Sequence, residues 1–310
     1  MLTILIGRAK TGKSDTILRR MAELGESSQQ ILLVPEHASF EMERRVSALF
    51  TGEEQQYITL LSFPRLAENI FRECGGLALR PMDEVSQALL MREAIAEVAD
   101  ALTLYRRQAA YPGFVTAMLQ TVADFKRAGL TPQAVAELSR QTGGALGQKL
   151  RDMQLIFDAF QALVEQRFHD PLDELTLALA RAEEKNWFAG RQVWVDSFDY
   201  FSVSERAMLQ HILLAADALT ISESLTLSMT CPALDAGEDI FLYQKKFLLR
   251  MRAYAAAHGC ECEKPLILTE DKRHQNAELA ALQRAFTRPQ TAAPAAGESL
   301  QLIEAPTVYE

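Results

Sequence analysis

The sequence predicts an α/β protein: a doubly wound parallel sheet that carries a P-loop nucleotide motif and is interrupted by a large all-helical insertion. Three observations predict it. The run LTILI at 2–6 leads directly into GRAKTGKS at 7–14, a G-x-x-x-x-G-K-[ST] loop between an apolar strand and a helix. Short apolar runs then alternate with helical periodicity in β-α-β-α-β-α order. From residue 83 to 185 the periodicity is helical alone, after which the alternation returns.

The elements follow in order. Residues 2–6 are a buried-type strand, and Ile17, Leu18 and Met21 space out the apolar face of the helix after the loop. QILLVP at 30–35 is a second buried-type strand, closed by proline. Residues 41–50 read as a helix with Met42, Val46 and Leu49/Phe50 on one face, and YITLLS at 57–62 as a third strand. A helix from Phe63 to about Cys74 stops at Gly75-Gly76. Four helical stripes come next: Val85, Leu89, Leu90, Ile95 and Val98; then Phe114, Met118, Leu119, Val122 and Phe125; then Leu150, Met153, Ile156, Phe157, Phe160 and Val164; and finally residues 172–184. Thr131-Pro132 is an N-cap with proline at N1, opening a short helix to Ser139, and Gly143-Gly144 marks a loop. QVWVDS at 192–197 is a strand ending in an acid; 204–216 is a helix, 218–225 a strand, 240–258 a helix stopped by Gly259, and 266–269 a strand. PQTAAPAAG at 289–297 reads as a linker before a strand at 299–303. The expected organisation is a P-loop domain in two parts, 1–78 and 187–288, around a helical insertion at 79–186, with 289–310 starting a following domain of a longer protein.

The loop spacing follows from phosphate chemistry. Backbone N–H groups of Gly7, Arg8, Ala9, Lys10, Thr11 and Gly12 would cradle phosphate oxygens at the positive end of the following helix. Lys13 would reach the β- and γ-phosphates, and the Ser14 hydroxyl would ligate Mg²⁺. The second metal ligand of such a site is an acid at the end of an apolar strand, and Asp196 in VWVD meets that description. The plainer reading of Asp196 is a strand-end turn cap. Ser197 follows it, so no carboxylate stands ready to orient an attacking water; Glu223 is a weak substitute, and no catalytic residue is assigned.

The chain has 310 residues, 48% hydrophobic, with a formal net charge of −9. That supports a sizeable core and excludes a broadly basic surface, so any nucleic acid would bind in a local groove. Cys74, Cys231, Cys260 and Cys262 contain no C-x-x-C pair and read as reduced thiols of a cytoplasmic protein. No apolar run approaches membrane-spanning length, and an N-terminal strand leaves no room for a signal peptide. Trp187 and Trp194 read as core and His211 as structural, while His169-Asp170 reads as a turn before Pro171. Arg44-Arg45, and Lys245-Lys246 with Arg250 and Arg252, could track a DNA backbone, although a solvated helix face is the simpler account.

GRAKTGKS at 7–14, ILLVPEHASFEME at 31–43, TLLSFPRLAENIF at 59–71, DFKRAGLTP at 124–132 and VWVDSFDYFSVSE at 193–205, in this order and spacing, resemble the N-terminal region of the AddB family. These are the B subunits of the bacterial AddAB-type ATP-dependent helicase/nuclease. The resemblance implies a RecA-like, superfamily 1 helicase-like fold interrupted by a helical domain. It implies processing of double-strand DNA ends for recombinational repair, an AddA-type helicase/nuclease partner, and contact with the single-stranded DNA tail, scanned in this family for Chi. It implies ATP with Mg²⁺ as the cofactor. The family's nuclease and iron–sulfur cluster lie in a C-terminal part absent from these residues. His37 and Ser39 in VPEHASF, Phe63 and Arg65 in LSFPRL, and Phe198 in VDSF map to the DNA-facing segments; rings can stack on bases and the polar groups can bond bases or phosphate. Departures are His37 where Gln is common, Glu68 where an aromatic occurs, and Lys10 at a loop position usually held by glycine.

Two other classes compete with a catalytically quiet, ATP-binding and DNA-handling subunit. An independent P-loop ATPase or kinase would need an Arg-rich lid and a substrate acid near the loop. A degenerate P-loop scaffold that binds only its partner chain would fit Lys10 and the acidic net charge.

Overall fold

The computed structural model describes residues 1–7, 10–75, 80–169, 173–224, 242–268, 270, 276, 278–279 and 281–282, with the backbone alone for 80–81, 166–167, 169, 223–224 and 242. Arg8, Ala9, Gly76, Asp170, Cys231, the linker at 289–297, the strand at 299–303 and the segment 289–310 lie outside the described residues. In chain order the elements are β1 (Leu2–Gly7), α1 (Lys13–Leu24), β2 (Gln29–Leu33), α2 (Glu36–Leu49), β3 (Ile58–Leu61), α3 (Phe63–Cys74), β4 (Arg80–Pro81), α4 (Glu84–Val98), α5 (Pro112–Arg127), α6 (Pro132–Thr142), α7 (Gly144–Arg167), β5 (Phe168–His169), α8 (Glu174–Lys185), β6 (Arg191–Val195), α9 (Val203–Ala215), β7 (Ala218–Ser224), α10 (Leu242–Ala257) and β8 (Leu266–Leu268). They form two compact units. One comprises Met1–Leu60, Gly190–Tyr200 and Ala216–Glu310; the other comprises Leu61–Ala189 and Phe201–Ala215.

The first unit is built on a six-stranded sheet of order β3-β2-β6-β7-β1-β8. The pairs β1–β7, β1–β8, β2–β6 and β6–β7 are parallel. Every residue of β1 is buried, as expected for a parallel strand covered on both faces. One core cluster gathers Ile17, Leu18 and Met21 from α1, Leu32 from β2, Met42 and Val46 from α2, and Trp194 from β6. Gln30, 1% exposed, is satisfied inside it: its Nε2 donates to the Met21 and Gly25 carbonyls, and its Oε1 accepts from Trp194 Nε1 at 3.1 Å. The helix expected at 41–50 begins at Glu36 instead. Pro35 holds an extended φ of −66° as N-cap, and the acid at Glu36 favours the helix start. Phe50 is buried and Leu49 exposed, which resolves that pair.

The second unit is helical, with one two-stranded parallel ribbon, β4–β5, that spacing in the sequence does not announce. It takes in α3 and α9 as well as α4 to α8, because α3 packs on α8 and α8 on α9. Its core holds Leu90, Met91, Ala94 and Ile95 of α4, Met118 and Val122 of α5, and Ile156, Phe157, Phe160 and Val164 of α7. Val85 and Leu89, expected in the α4 stripe, are exposed: α4 is apolar around much of its circumference, so spacing alone does not select the buried face. Gly143 alone separates α6 from α7, and Gly144 is already helical.

DFKRAGLTP is a helix stop followed by a helix start. Gly129, at φ +72°, closes α5 with Gly129 N–H donating to the Lys126 carbonyl and Leu130 N–H to that of Phe125. Thr131 then caps α6 by accepting from Ala134 N–H. A methyl on Gly129 would meet Val203 Cγ1 at 2.8 Å. Gly129→Ala is therefore expected to destabilise the helical unit by roughly 1–3 kcal/mol, read as a lowered melting temperature.

His211 packs edge-on against Phe188, with Nε2 buried and without a partner among the described residues. Burial pushes its pKa down, against the opposing pull of Glu183. The folded state thus prefers neutral imidazole, and the unfolded chain takes up a proton first. Stability should be complete above pH about 6.5, fall as pH drops through the ordinary histidine range, and level off below the lowered folded pKa. His211→Gln should flatten that part of a pH-dependent denaturation profile.

Candidate functional site

The carboxyl ends of the parallel strands share one edge, the position where open α/β sheets place ligands. At the end of β1 the chain enters the GRAKTGKS loop. Lys10 adopts φ +62°, so a non-glycine residue takes up the left-handed geometry that glycine usually supplies. Gly12 adopts φ +89° and caps α1, leaving the first-turn amides of that helix facing the loop. Thr16 fastens the turn: its backbone N–H and its Oγ1 both donate to the Gly12 carbonyl at 2.9 Å. Lys13 is 9% exposed and its Nζ donates to the Gly7 carbonyl at 2.9 Å, so the ammonium lies across the mouth of the loop. Gly7 is required by space: a methyl there would overlap Thr11 Oγ1 and sit 3.0 Å from the Leu268 carbonyl oxygen. Ser14 is half-buried in the first turn of α1. Beside that turn a recess of about 510 Å³ is lined by Thr11, Gly12, Thr16, Arg19, Leu268 and Glu270.

Asp196 follows β6, two strands from β1 with β7 between them. Val195 is level with Ile221, and Ile221 with Ile4, so Asp196 stands about level with Leu5. That is roughly 10 Å across the sheet from β1 and about 7 Å below the level of Gly7. The carboxylate is 1% exposed. Its Oδ1 accepts from Ser222 Oγ, and its Oδ2 is buried with no hydrogen-bond partner among the described residues. A buried carboxylate oxygen left unpaired is costly unless a cation or donor completes it. The Ser14 hydroxyl and the Asp196 carboxylate are each hard oxygen donors of the kind Mg²⁺ takes. Ser197, the next residue, turns through φ +66° and is exposed.

The remaining candidates fall in both units. His37 is exposed in the first turn of α2. Ser39 is buried and its hydroxyl donates to the Pro35 carbonyl at 3.3 Å. Phe198 is 9% exposed. These three share the edge of the loop and Asp196, because Asp196 N–H donates to the Leu33 carbonyl at the end of β2. Phe63 and Arg65 belong to the helical unit. There Phe63 is 3% exposed, edge-on to Phe201 with centroids 6.3 Å apart, and Arg65 is exposed. The rings of Phe63 and Phe198 are thus packed inside, whereas Phe40, Tyr200 and Tyr243 are exposed at 78%, 72% and 73%. Sequence reasoning did not single out these three, and only the phase of α2 against Met42 and Val46 could have flagged Phe40.

The basic pair Arg44-Arg45 is neutralised locally, Arg44 by Glu41 at 3.0 Å and Arg45 by Asp15. Trp187 and Trp194 are core, with their N–H groups bonded to Glu73 and Gln30. Cys74, Cys260 and Cys262 are free thiols. No described helix is long and apolar enough to cross a membrane.

The chain is similar to known proteins along nearly its whole length. The profile of the family described as ADDB, N-terminal, matches residues 4–283. The B subunit of an ATP-dependent helicase/deoxyribonuclease from Thermoanaerobacter sp. is 29% identical over 318 residues, 99% of this chain and 27% of the relative. The protein of the same name from Symbiobacterium thermophilum is 30% identical over 98% of this chain and 27% of its own length. That from Moorella thermoacetica is 31% identical over 93% of this chain and 26% of its own. The chain therefore spans about a quarter of the length of these relatives.

Proposed function

The chain belongs to the ADDB N-terminal family, and from that premise we propose that it is the ATP-binding, DNA-handling front region of a helicase/deoxyribonuclease B-type component. On this reading it has a RecA-like, superfamily 1 helicase-like P-loop core and acts in the cytoplasm. It works beside an AddA-type subunit, on the single-stranded tail of a broken DNA end in recombinational repair. The relatives' names support the complex and the chemistry of the whole protein.

One observation carries the nucleotide reading. A strand–loop–helix cradle with Lys13 across its mouth shares a sheet edge with a buried Asp196 whose Oδ2 has no partner among the described residues. The first-turn amides of α1 would hold phosphate oxygens, and Lys13 would exchange the Gly7 carbonyl for the β- and γ-phosphates. Ser14 and Asp196 would hold Mg²⁺, which when bound neutralises phosphate charge. Ser197 stands where such sites carry the acid that orients an attacking water, and Glu223 at the end of β7 is a weak substitute. ATP then acts as a conformational clamp, with no motor step in this region. For DNA handling, His37 would offer an exposed hydrogen-bonding group on the first unit, where Ser39 and Phe198 are packed inside; on the helical unit, taken by itself, Arg65 would offer another beside the packed Phe63.

Calorimetry of Mg-ATP against the 310-residue chain, paired with a phosphate-release assay, tests this. Binding with turnover below about one per minute is expected, far under ordinary enzyme rates. Rapid turnover would replace the clamp by an independent ATPase, and absence of binding would replace it by a scaffold.

A further inference from the structure

We propose that Tyr200, Tyr243, Lys246 and Arg250 form a binding strip for single-stranded DNA at the carboxyl edge of the first unit. The inference deepens the DNA-handling reading and rests on it, but it assigns the contact to residues outside the segments that the resemblance points to.

The strip is built by local geometry. After Asp196 the left-handed turn at Ser197 sends Phe198 inward and leaves Tyr200 exposed at 72%. The side-chain amide of Gln244 donates to the Asp199 carbonyl at 3.0 Å and ties the start of α10 to that turn. Tyr200 and Tyr243 are each the immediate neighbour of one of the two bonded residues, and Tyr243 is exposed at 73%. Along α10, Lys246 and Arg250 follow Tyr243 at i+3 and i+7, on the same face, and both are exposed. Phe247, Leu248, Met251 and Ala255 of the same helix are buried, Phe247 at the border of the exposed strip.

The charge pattern selects the ligand. The protein has a formal net charge of −9, yet residues 242–257 contain no acid, and of the lysines and arginines there Lys245 is buried while Lys246 and Arg250 are exposed. Lys246 and Arg250 make no ion pair among the described residues, unlike Arg44 and Arg45 on α2. Asp199 is the one acid of the adjoining turn at 197–200. Two exposed rings with two cations spaced along a helix suit a strand that offers bare bases and a phosphate backbone. A duplex hides its base faces and would leave the rings unused.

The test is fluorescence anisotropy with a labelled oligo-dT of about 20 nucleotides, long enough for one or more such sites, and a duplex of equal length, across a salt series. Tyr200→Ala/Tyr243→Ala should weaken oligo-dT binding at least about tenfold and leave the salt slope unchanged. Tyr200→Phe/Tyr243→Phe, which keeps the rings, should hold wild-type affinity. Lys246→Ala/Arg250→Ala should reduce the slope of log K against log salt by about 1.4. All four side chains reach solvent, so unchanged thermal melting is the check on folding. Wild-type binding that survives both alanine pairs would overturn the strip while leaving the DNA-handling reading to other residues. Equal affinity for the duplex, or loss confined to the charge pair, would overturn the stacking role. No binding of oligo-dT by the wild-type chain would overturn the strip and the DNA-handling reading together.

Discussion

Lys13→Ala is expected to weaken Mg-ATP binding by roughly 30- to 150-fold, with little change in the melting temperature. The size follows from one charge-assisted contact to phosphate, about 2–3 kcal/mol. Lys13 is 9% exposed and held by the Gly7 carbonyl at 2.9 Å, at the loop that on the proposed reading would cradle the β- and γ-phosphates. An alanine there removes that cation and also the tie across the loop mouth, while the Gly12 cap and the Thr16 bonds keep the first turn of α1 in place. Calorimetry of both proteins with and without Mg²⁺ gives the measurement. Asp196→Asn offers a complementary readout: it should diminish the Mg²⁺ dependence while metal-free nucleotide binding persists. Equal affinity of Lys13→Ala and wild type would remove the loop from the site.

The largest stability effect is expected at Asp152→Ala, about 3–5 kcal/mol on the helical unit, from the loss of several hydrogen bonds to one charged acceptor. Asp152 is fully buried on α7 and binds the segment after α4. Its oxygens accept from the backbone N–H groups of Thr103 at 3.1 Å, Leu104 at 2.8 Å and Tyr105 at 2.9 Å, and from Thr103 Oγ1 at 3.0 Å. That segment in turn places Leu102 in the core and sets the Tyr105 ring 5.2 Å from Phe114. Without the carboxylate, three amides lose a charged acceptor, and hydrogen bonds to charged groups are each worth about 1.5–3 kcal/mol. Because the chain has two units, a site-resolved readout is needed beside the denaturation midpoint to place the effect. Amide hydrogen exchange at Thr103, Leu104 and Tyr105 reads the effect directly, and Asp152→Asn, which keeps one acceptor oxygen, should fall between wild type and alanine. Unchanged protection in Asp152→Ala would show that the segment is held by Leu102 and Tyr105 packing instead.

These two predictions differ in how far the sequence foretold them. Lys13 was readable because its chemistry is written in a contiguous loop. Asp152 was not, because its partners lie 47 to 49 residues away and an acid on a helix ordinarily faces water. The same division runs through the aromatics of VWVDSFDYF. Spacing marks the strand and the acid that ends it, but the inward path of Phe198 and the outward path of Tyr200 depend on the left-handed turn at Ser197. On α4, Leu90 and Ile95 met the expected face while Val85 and Leu89 did not, since several helix faces were apolar enough to compete for the core.

By itself the sequence determined what short-range physics controls. The apolar runs that became strands, the Gly12–Lys13–Ser14 start of α1, the Gly129 stop with its Thr131 cap, and the change to helical periodicity all follow from backbone hydrogen bonding and side-chain spacing within a few residues. Tertiary structure alone decided the strand order that sets β1 between β7 and β8, the pairing of Asp196 with Ser222, and the tie from Gln244 to the Asp199 carbonyl. Those outcomes join residues 26 to more than 200 positions apart, and they are selected by competition among apolar faces for one core, which local spacing does not encode.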